Sequence, residues 1–137
     1  MALHRRILVA DDHSPFRHML RVFLELHPDW EVCGEAVNGA DAVAKIEHLA
    51  PDLAVLDLGM PQMNGLQAAR EIYKAHPQIP LILLTVQEVS NQLAEEAESA
   101  GFRGAVSKST GREVVEGVEA LLRNETFFCL DGSSNSA

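Results

Sequence analysis

The sequence predicts an α/β domain of five consecutive βα units, a doubly wound parallel sheet with helices on both faces. Two observations predict it. Five short apolar runs recur every roughly 20 to 28 residues, the spacing that a strand plus a crossover helix requires. The intervals between the runs carry apolar residues at helical spacing, opened by capping residues and mostly closed by proline.

The strands are expected at RILVA (6 to 10), WEVCGEA (30 to 36), DLAVL (52 to 56), PLILL (80 to 84) and RGAVS (103 to 107). Four are near-continuous or small apolar runs, as parallel strands covered on both faces should be. Only WEVCGEA alternates, which predicts an edge strand. In the first helix Ser14 is the expected cap before Pro15, and Phe16, Met19, Leu20, Phe23 and Leu26 follow at helical spacing. The second starts at Asn38 with Asp41 three residues on and carries Val43, Ile46 and Leu49 up to Pro51. Asn64 or Gly65 begins the third, with Leu66, Ala69, Ile72 and Tyr73 directed inward. The fourth, around residues 88 to 100, keeps its period with Val89, Leu93, Ala97 and Ala100, of which only two are large. Light packing and an easily shifted position are expected for it. Thr110 and Glu113 form a capping box for the fifth, which carries Val114, Val118, Leu121 and Leu122.

Composition narrows the function classes. A chain of 137 residues suits one domain. Eleven Lys and Arg against 20 Asp and Glu give a net charge of −9, which repels a phosphate backbone and disfavours direct DNA binding. Cys33 and Cys129 have no metal-type spacing and read as two reduced thiols. The N-terminal apolar run meets two acids after four residues, far short of a signal peptide or membrane span, so a cytoplasmic protein with no membrane partner is expected. Residues 1 to 124 form the expected domain, and 125 to 137, where Phe127, Phe128 and Leu130 give way to a polar stretch, form a tail or truncated linker.

The polar residues that follow the strands carry the chemistry. ILVA is followed by Asp11 and Asp12, LAVL by Asp57, LILL by Thr85 and GAVS by Lys108. In an open α/β sheet these strand ends share one edge, where ligands bind. Each residue alone has a dull explanation in turn or surface chemistry; their joint placement does not. Three converging carboxylates need a cation among them, and one lysine does not suffice. Oxygen ligands without His or Cys suit Mg²⁺. Such a set fits phosphoryl transfer: the metal and Lys108 neutralise charge, Thr85 donates a hydrogen bond and the central Asp57 attacks phosphorus.

The segments VADD, LDLGMPQMNG, LLT and VSK resemble, in order and spacing, those of the response regulator receiver domain, over residues 5 to 124. The resemblance implies a flavodoxin-like five-stranded sheet in the order 2-1-3-4-5. It implies Asp57 as phospho-acceptor, Asp12 as direct Mg²⁺ ligand, Asp11 as a ligand through water and the Gly59 carbonyl as a further ligand. Thr85 and Lys108 match the hydroxyl and ammonium that hold the phosphoryl group. The implied donor is a sensor histidine kinase, and the protein is expected to be no enzyme beyond its own phosphorylation and dephosphorylation.

Two positions depart from the family pattern. Ala105 stands where many receivers carry a Tyr or Phe switch, which puts the usual coupling to the fourth helix in doubt. Val86 stands where a small residue usually leaves room for the donor, so it either slows phosphoryl transfer or simply extends the strand. Gly59 and Gln87 flank the route of an attacking water, and His13 reads as a turn residue.

Other function classes fit less well. A phosphatase with an aspartyl-phosphate intermediate needs a second acid two residues after the nucleophile, where Gly59 stands. A nucleotide-binding domain needs glycines after the first strand, where DDHSPF stands. A receiver acting mainly as a phosphorylation-weak interaction module is the alternative. The run VVEGVEALLRNETFFCL resembles the last helix and linker before a LuxR-type helix-turn-helix, so transcription regulation and DNA contact are expected only through an output domain not present here. Homodimerisation on activation is a further expectation.

Overall fold

The computed structural model describes residues 4–108 and 111–128. Strands β1 (Arg5–Ala10), β2 (Trp30–Ala36), β3 (Leu53–Asp57), β4 (Leu81–Thr85) and β5 (Gly104–Ser107) alternate with helices α1 (Ser14–Glu25), α2 (Gly39–Leu49), α3 (Gly65–Ala75), α4 (Asn91–Ala100) and α5 (Gly111–Leu122). A sixth strand, β6 (Phe127–Phe128), follows, and all pairs in the sheet are parallel, in the order β2-β1-β3-β4-β5-β6. The flavodoxin-like (βα)5 order is present, and β2 is an edge strand.

Alternation along the strands divides the core. Leu8, Ala10, Ala54, Leu56, Leu81, Leu83 and Ala105 face α2, α3 and α4, whereas Ile7, Val9, Leu53, Val55, Ile82, Leu84 and Val106 face α1 and α5. Both faces are therefore covered, which is why the central strands read as continuous apolar runs. The register of β1 against β2 slips between Ile7 and Leu8, which pair with Val32 and Gly34 and leave Cys33 bulged. Cys33 is a half-buried free thiol, and burial pushes its pKa up, away from the reactive thiolate. Cys129 lies outside the described residues.

Several local expectations change. Ser14 is the first residue of α1 rather than its cap; His13 takes the cap position without a side-chain hydrogen bond. In α1 the core positions are Leu20 and Leu24, while Leu26 is 72% exposed, because a residue two beyond Leu24 lies far round the helix. Tyr73 of α3 is also exposed. Asn38 caps α2 by accepting from the Asp41 amide, and Asn64 with Gln67 forms a full capping box on α3. Val89, Leu93, Ala97 and Ala100 are all buried as expected, with Ser90 capping α4 and Gly101, at φ 110°, ending it in the left-handed region. The Thr110 cap expected for α5 lies outside the described residues.

The sequence gives no sign of β6. Phe128 pairs with Ala105 and packs into the α4-side cluster, while Phe127 joins the α1/α5-side cluster. The small side chain of Ala105 thus has an aromatic neighbour from beyond α5.

Candidate phosphoryl-transfer site

The carboxyl ends of β1, β3, β4 and β5 deliver Asp11, Asp57, Thr85 and Lys108 to one edge of the sheet, where an open cleft of about 650 Å³ is lined by Asp12, His13, Phe16, Asp57, Gly59 and the segment 85 to 87, with Lys108. Asp11, Asp57 and Thr85 are the buried polar residues of the described chain. Uncompensated polar groups do not survive such burial, so their partners define the site.

Lys108 is the principal partner. Its Nζ lies 2.7 Å from Asp11 Oδ2 and 3.1 Å from Asp57 Oδ1, and 4.7 Å from the centre of the Phe16 ring. Its backbone N–H donates to the Thr85 carbonyl at 2.8 Å, tying the loop after β5 to β4. Burial works against the ammonium, but the Asp11 and Asp57 carboxylates outweigh it and hold the pKa above the ordinary lysine value. Asp57 moves upward too. Burial is the main cause and the Asp11 charge adds to it, with Lys108 opposing.

The remaining contacts set direction. The His13 amide donates to Asp11 Oδ1 at 2.8 Å, so it is the backbone of His13 that serves the acid pair. The Gln87 amide donates to Thr85 Oγ1 at 3.2 Å, which leaves the hydroxyl proton free to donate elsewhere. The Leu58 amide donates to the Leu84 carbonyl and the Gly65 amide to the Leu58 carbonyl, holding the chain just after Asp57. A Cβ on Gly65 would stand 2.5 Å from the Asp57 carbonyl oxygen, so the start of α3 packs directly against the backbone of Asp57. This is the physical reason for Asn64-Gly65: the asparagine caps the helix and the glycine permits the approach.

Carboxylate oxygens of Asp11, Asp12 and Asp57 all lie within 4.8 Å of one another. The donor set is entirely oxygen, and Asp11 Oδ2, although at ion-pair distance from Lys108, has no well-directed hydrogen bond among the described residues. A hard divalent cation fits both facts. His13 is exposed and outside this cluster, as a turn residue should be. Val86 does not extend β4, which ends at Thr85; it is 83% exposed on the cleft rim. Charge patterning did not single out Arg17, whose Nη1 donates to the Asp11 carbonyl at 2.7 Å.

The response regulator receiver domain family matches residues 7–119. The chain belongs to that family. Phosphoryl acceptance is the family's function, and its members bind Mg²⁺ at an acidic pocket, partner with histidine kinases and often dimerise. This receiver is 34% identical over 110 residues to the transcriptional regulatory protein YdfI of Bacillus subtilis, covering 80% of this chain and 51% of YdfI. It thus spans about half the length of that curated relative. Among solved structures it is similar to a LuxR-family two-component response regulator from Aurantimonas sp. SI85-9A1, with TM-score 0.86, 30% identity and coverage of 90% and 89% of the two chains. The receiver domain of NarL from Mycobacterium tuberculosis gives TM-score 0.84 at 30% identity, over 90% of this chain and all of that one. Among the described residues no helix is long and apolar enough to cross a membrane.

Proposed function

We propose that Asp57 of this receiver accepts a phosphoryl group from a sensor histidine kinase. The observation that carries this reading is the convergence of Asp57 with Asp11, Asp12, Thr85 and Lys108 at one sheet edge. An Asp57 oxygen attacks phosphorus as the bond from phosphorus to the donor imidazole breaks, and that bond's electron pair returns to the ring nitrogen. Lys108 holds one phosphoryl oxygen and the free Thr85 hydroxyl proton donates to another. Asp12 and Asp57 would hold Mg²⁺ directly, Asp11 would act on it through water and the Gly59 carbonyl would be a further ligand. When bound, the metal neutralises charge on the transferring group.

Residues 1 to 124 form the receiver in this reading, and 125 to 137 form a C-terminal tail or truncated linker, of which Phe127 and Phe128 pair with β5. The LuxR-family likeness of the neighbours supports transcription regulation through an output domain; a cytoplasmic location and homodimerisation on activation belong to the same proposal.

Incubation with Mg²⁺ and acetyl phosphate, followed by intact mass, tests the assignment. The expected result is gain of one phosphoryl group, abolished in Asp57→Asn and by EDTA. An adduct that persists in Asp57→Asn overturns it. Val86 stands exposed on the rim, so Val86→Ala should take up phosphoryl about three- to tenfold faster by easing donor approach. An unchanged rate assigns Val86 no role in access.

A further inference from the structure

We infer that Arg17 is a positioning residue for the metal site, acting through the Asp11–Asp12 peptide. This rests on the reading of Asp12 as a metal ligand. Asp12 is exposed, and its carboxylate has no hydrogen bond or ion pair among the described residues. Its direction is therefore set by its backbone. The peptide joining Asp11 to Asp12 is planar, so fixing the Asp11 carbonyl fixes the path by which the chain enters Asp12.

That carbonyl accepts from Arg17 Nη1 at 2.7 Å. At the other side of the same residue, the Asp11 amide donates to the Ala36 carbonyl at 3.0 Å. The guanidinium is itself held. Its Nε donates to Glu35 Oε1 at 2.6 Å, and the second oxygen of Glu35 accepts from Arg21 Nη1 at 2.8 Å. The Arg17 side chain is only 15% exposed, and the two arginines outweigh the burial of Glu35 and hold its pKa below the ordinary value. Glu35 thus stays ionised and fixes the guanidinium plane. A lysine could not replace Arg17, because one ammonium does not present two donors in a rigid fork to Glu35 and to the Asp11 carbonyl.

Partners outside the ligand set commonly affect metal affinity by about ten- to a hundredfold. For Arg17→Met, which keeps the aliphatic stem, Mg²⁺ affinity of the unphosphorylated protein by titration calorimetry should fall about tenfold. The Mg²⁺ concentration for half-maximal phosphorylation by acetyl phosphate should rise by the same factor, while the rate at saturating Mg²⁺ recovers to within about twofold. A merely structural role would lower stability or the saturating rate without moving the half-saturation point. Glu35→Gln, which can still accept from Arg17, should keep the affinity within about threefold, and Glu35→Ala should lose more. Affinity equal to wild type in folded Arg17→Met overturns the inference; if that variant does not fold, equal affinity in Glu35→Ala does so. Absence of Mg²⁺ binding by the wild type itself would instead overturn the metal-site reading, and the inference with it.

Discussion

Gly65→Ala is expected to lower Tm by about 10 °C and to slow phosphorylation by about a hundredfold. The added methyl would stand 2.5 Å from the Asp57 carbonyl oxygen, 3.0 Å from its carbon and 3.1 Å from Leu58 Cα, all backbone atoms that cannot rotate aside. Either α3 moves outward or the end of β3 shifts. Overpacking of this kind costs about 3 kcal/mol, and the Gly65 amide would also lose its bond to the Leu58 carbonyl. The kinetic effect follows because Asp57 is the last residue of β3, so displacement reaches its carboxylate directly. Gly59→Ala is the control. Among the described residues a Cβ there meets only Asp57 Oδ2 at 3.9 Å, so its Tm should stay within about 1 °C of wild type. Thermal unfolding by circular dichroism and the acetyl phosphate rate check both. A Tm and an acetyl phosphate rate of Gly65→Ala equal to those of wild type would show that α3 does not bear on Asp57.

The contrast between these glycines shows what the sequence carries and what it hides. Strand positions were legible because every central strand is buried on both faces, which demands an unbroken apolar run. The site was legible for a related reason: a carboxylate at the end of such a run has no purpose in the core. Asp11, Asp12, Asp57, Thr85 and Lys108 do meet at one edge. Contacts that depend on the third dimension were not legible. Arg17 and Glu35 look like two solvated charges 18 positions apart, and only the packing of α1 beside β2 brings them to 2.6 Å. Similarly, β6 is two residues long and exists because, paired with β5, Phe127 finds cover on the α1/α5 side of the sheet and Phe128 on the α4 side, which local propensity does not encode. Leu26 and Tyr73 fell on the wrong side of apolar stripes that are narrower than their periodicity suggested. Ser14 precedes a proline and mimics a cap, yet the helix begins one residue earlier.

Lys108→Ala should destabilise the Mg²⁺-free protein by about 3 kcal/mol near neutral pH, the cost of leaving buried charge uncompensated. In the wild type its ammonium serves Asp11, which is fully buried, and Asp57, which is 5% exposed. The pH dependence separates this electrostatic loss from lost packing on Phe16. Burial, reinforced by Asp11, raises the Asp57 pKa above 3.8, so the folded state holds its proton more tightly than the unfolded state. Stability therefore falls as pH climbs from about 4 through the folded pKa. Lys108 opposes that shift, so its removal extends the fall to higher pH. Its own pKa is raised above 10.5, so the stabilisation it supplies is complete below that value and is lost only in strong alkali. Urea unfolding in EDTA should accordingly show wild type and variant diverging from about pH 4 toward neutrality. A gap that does not change with pH would assign the loss to the lysine stem against Phe16 instead. Excess Mg²⁺ should recover most of the stability, because a divalent cation among Asp11, Asp12 and Asp57 replaces the missing charge. It should not recover phosphorylation, which stays about a hundredfold slower: the metal can balance the carboxylates, but in the proposed mechanism a phosphoryl oxygen would still lack the Lys108 donor.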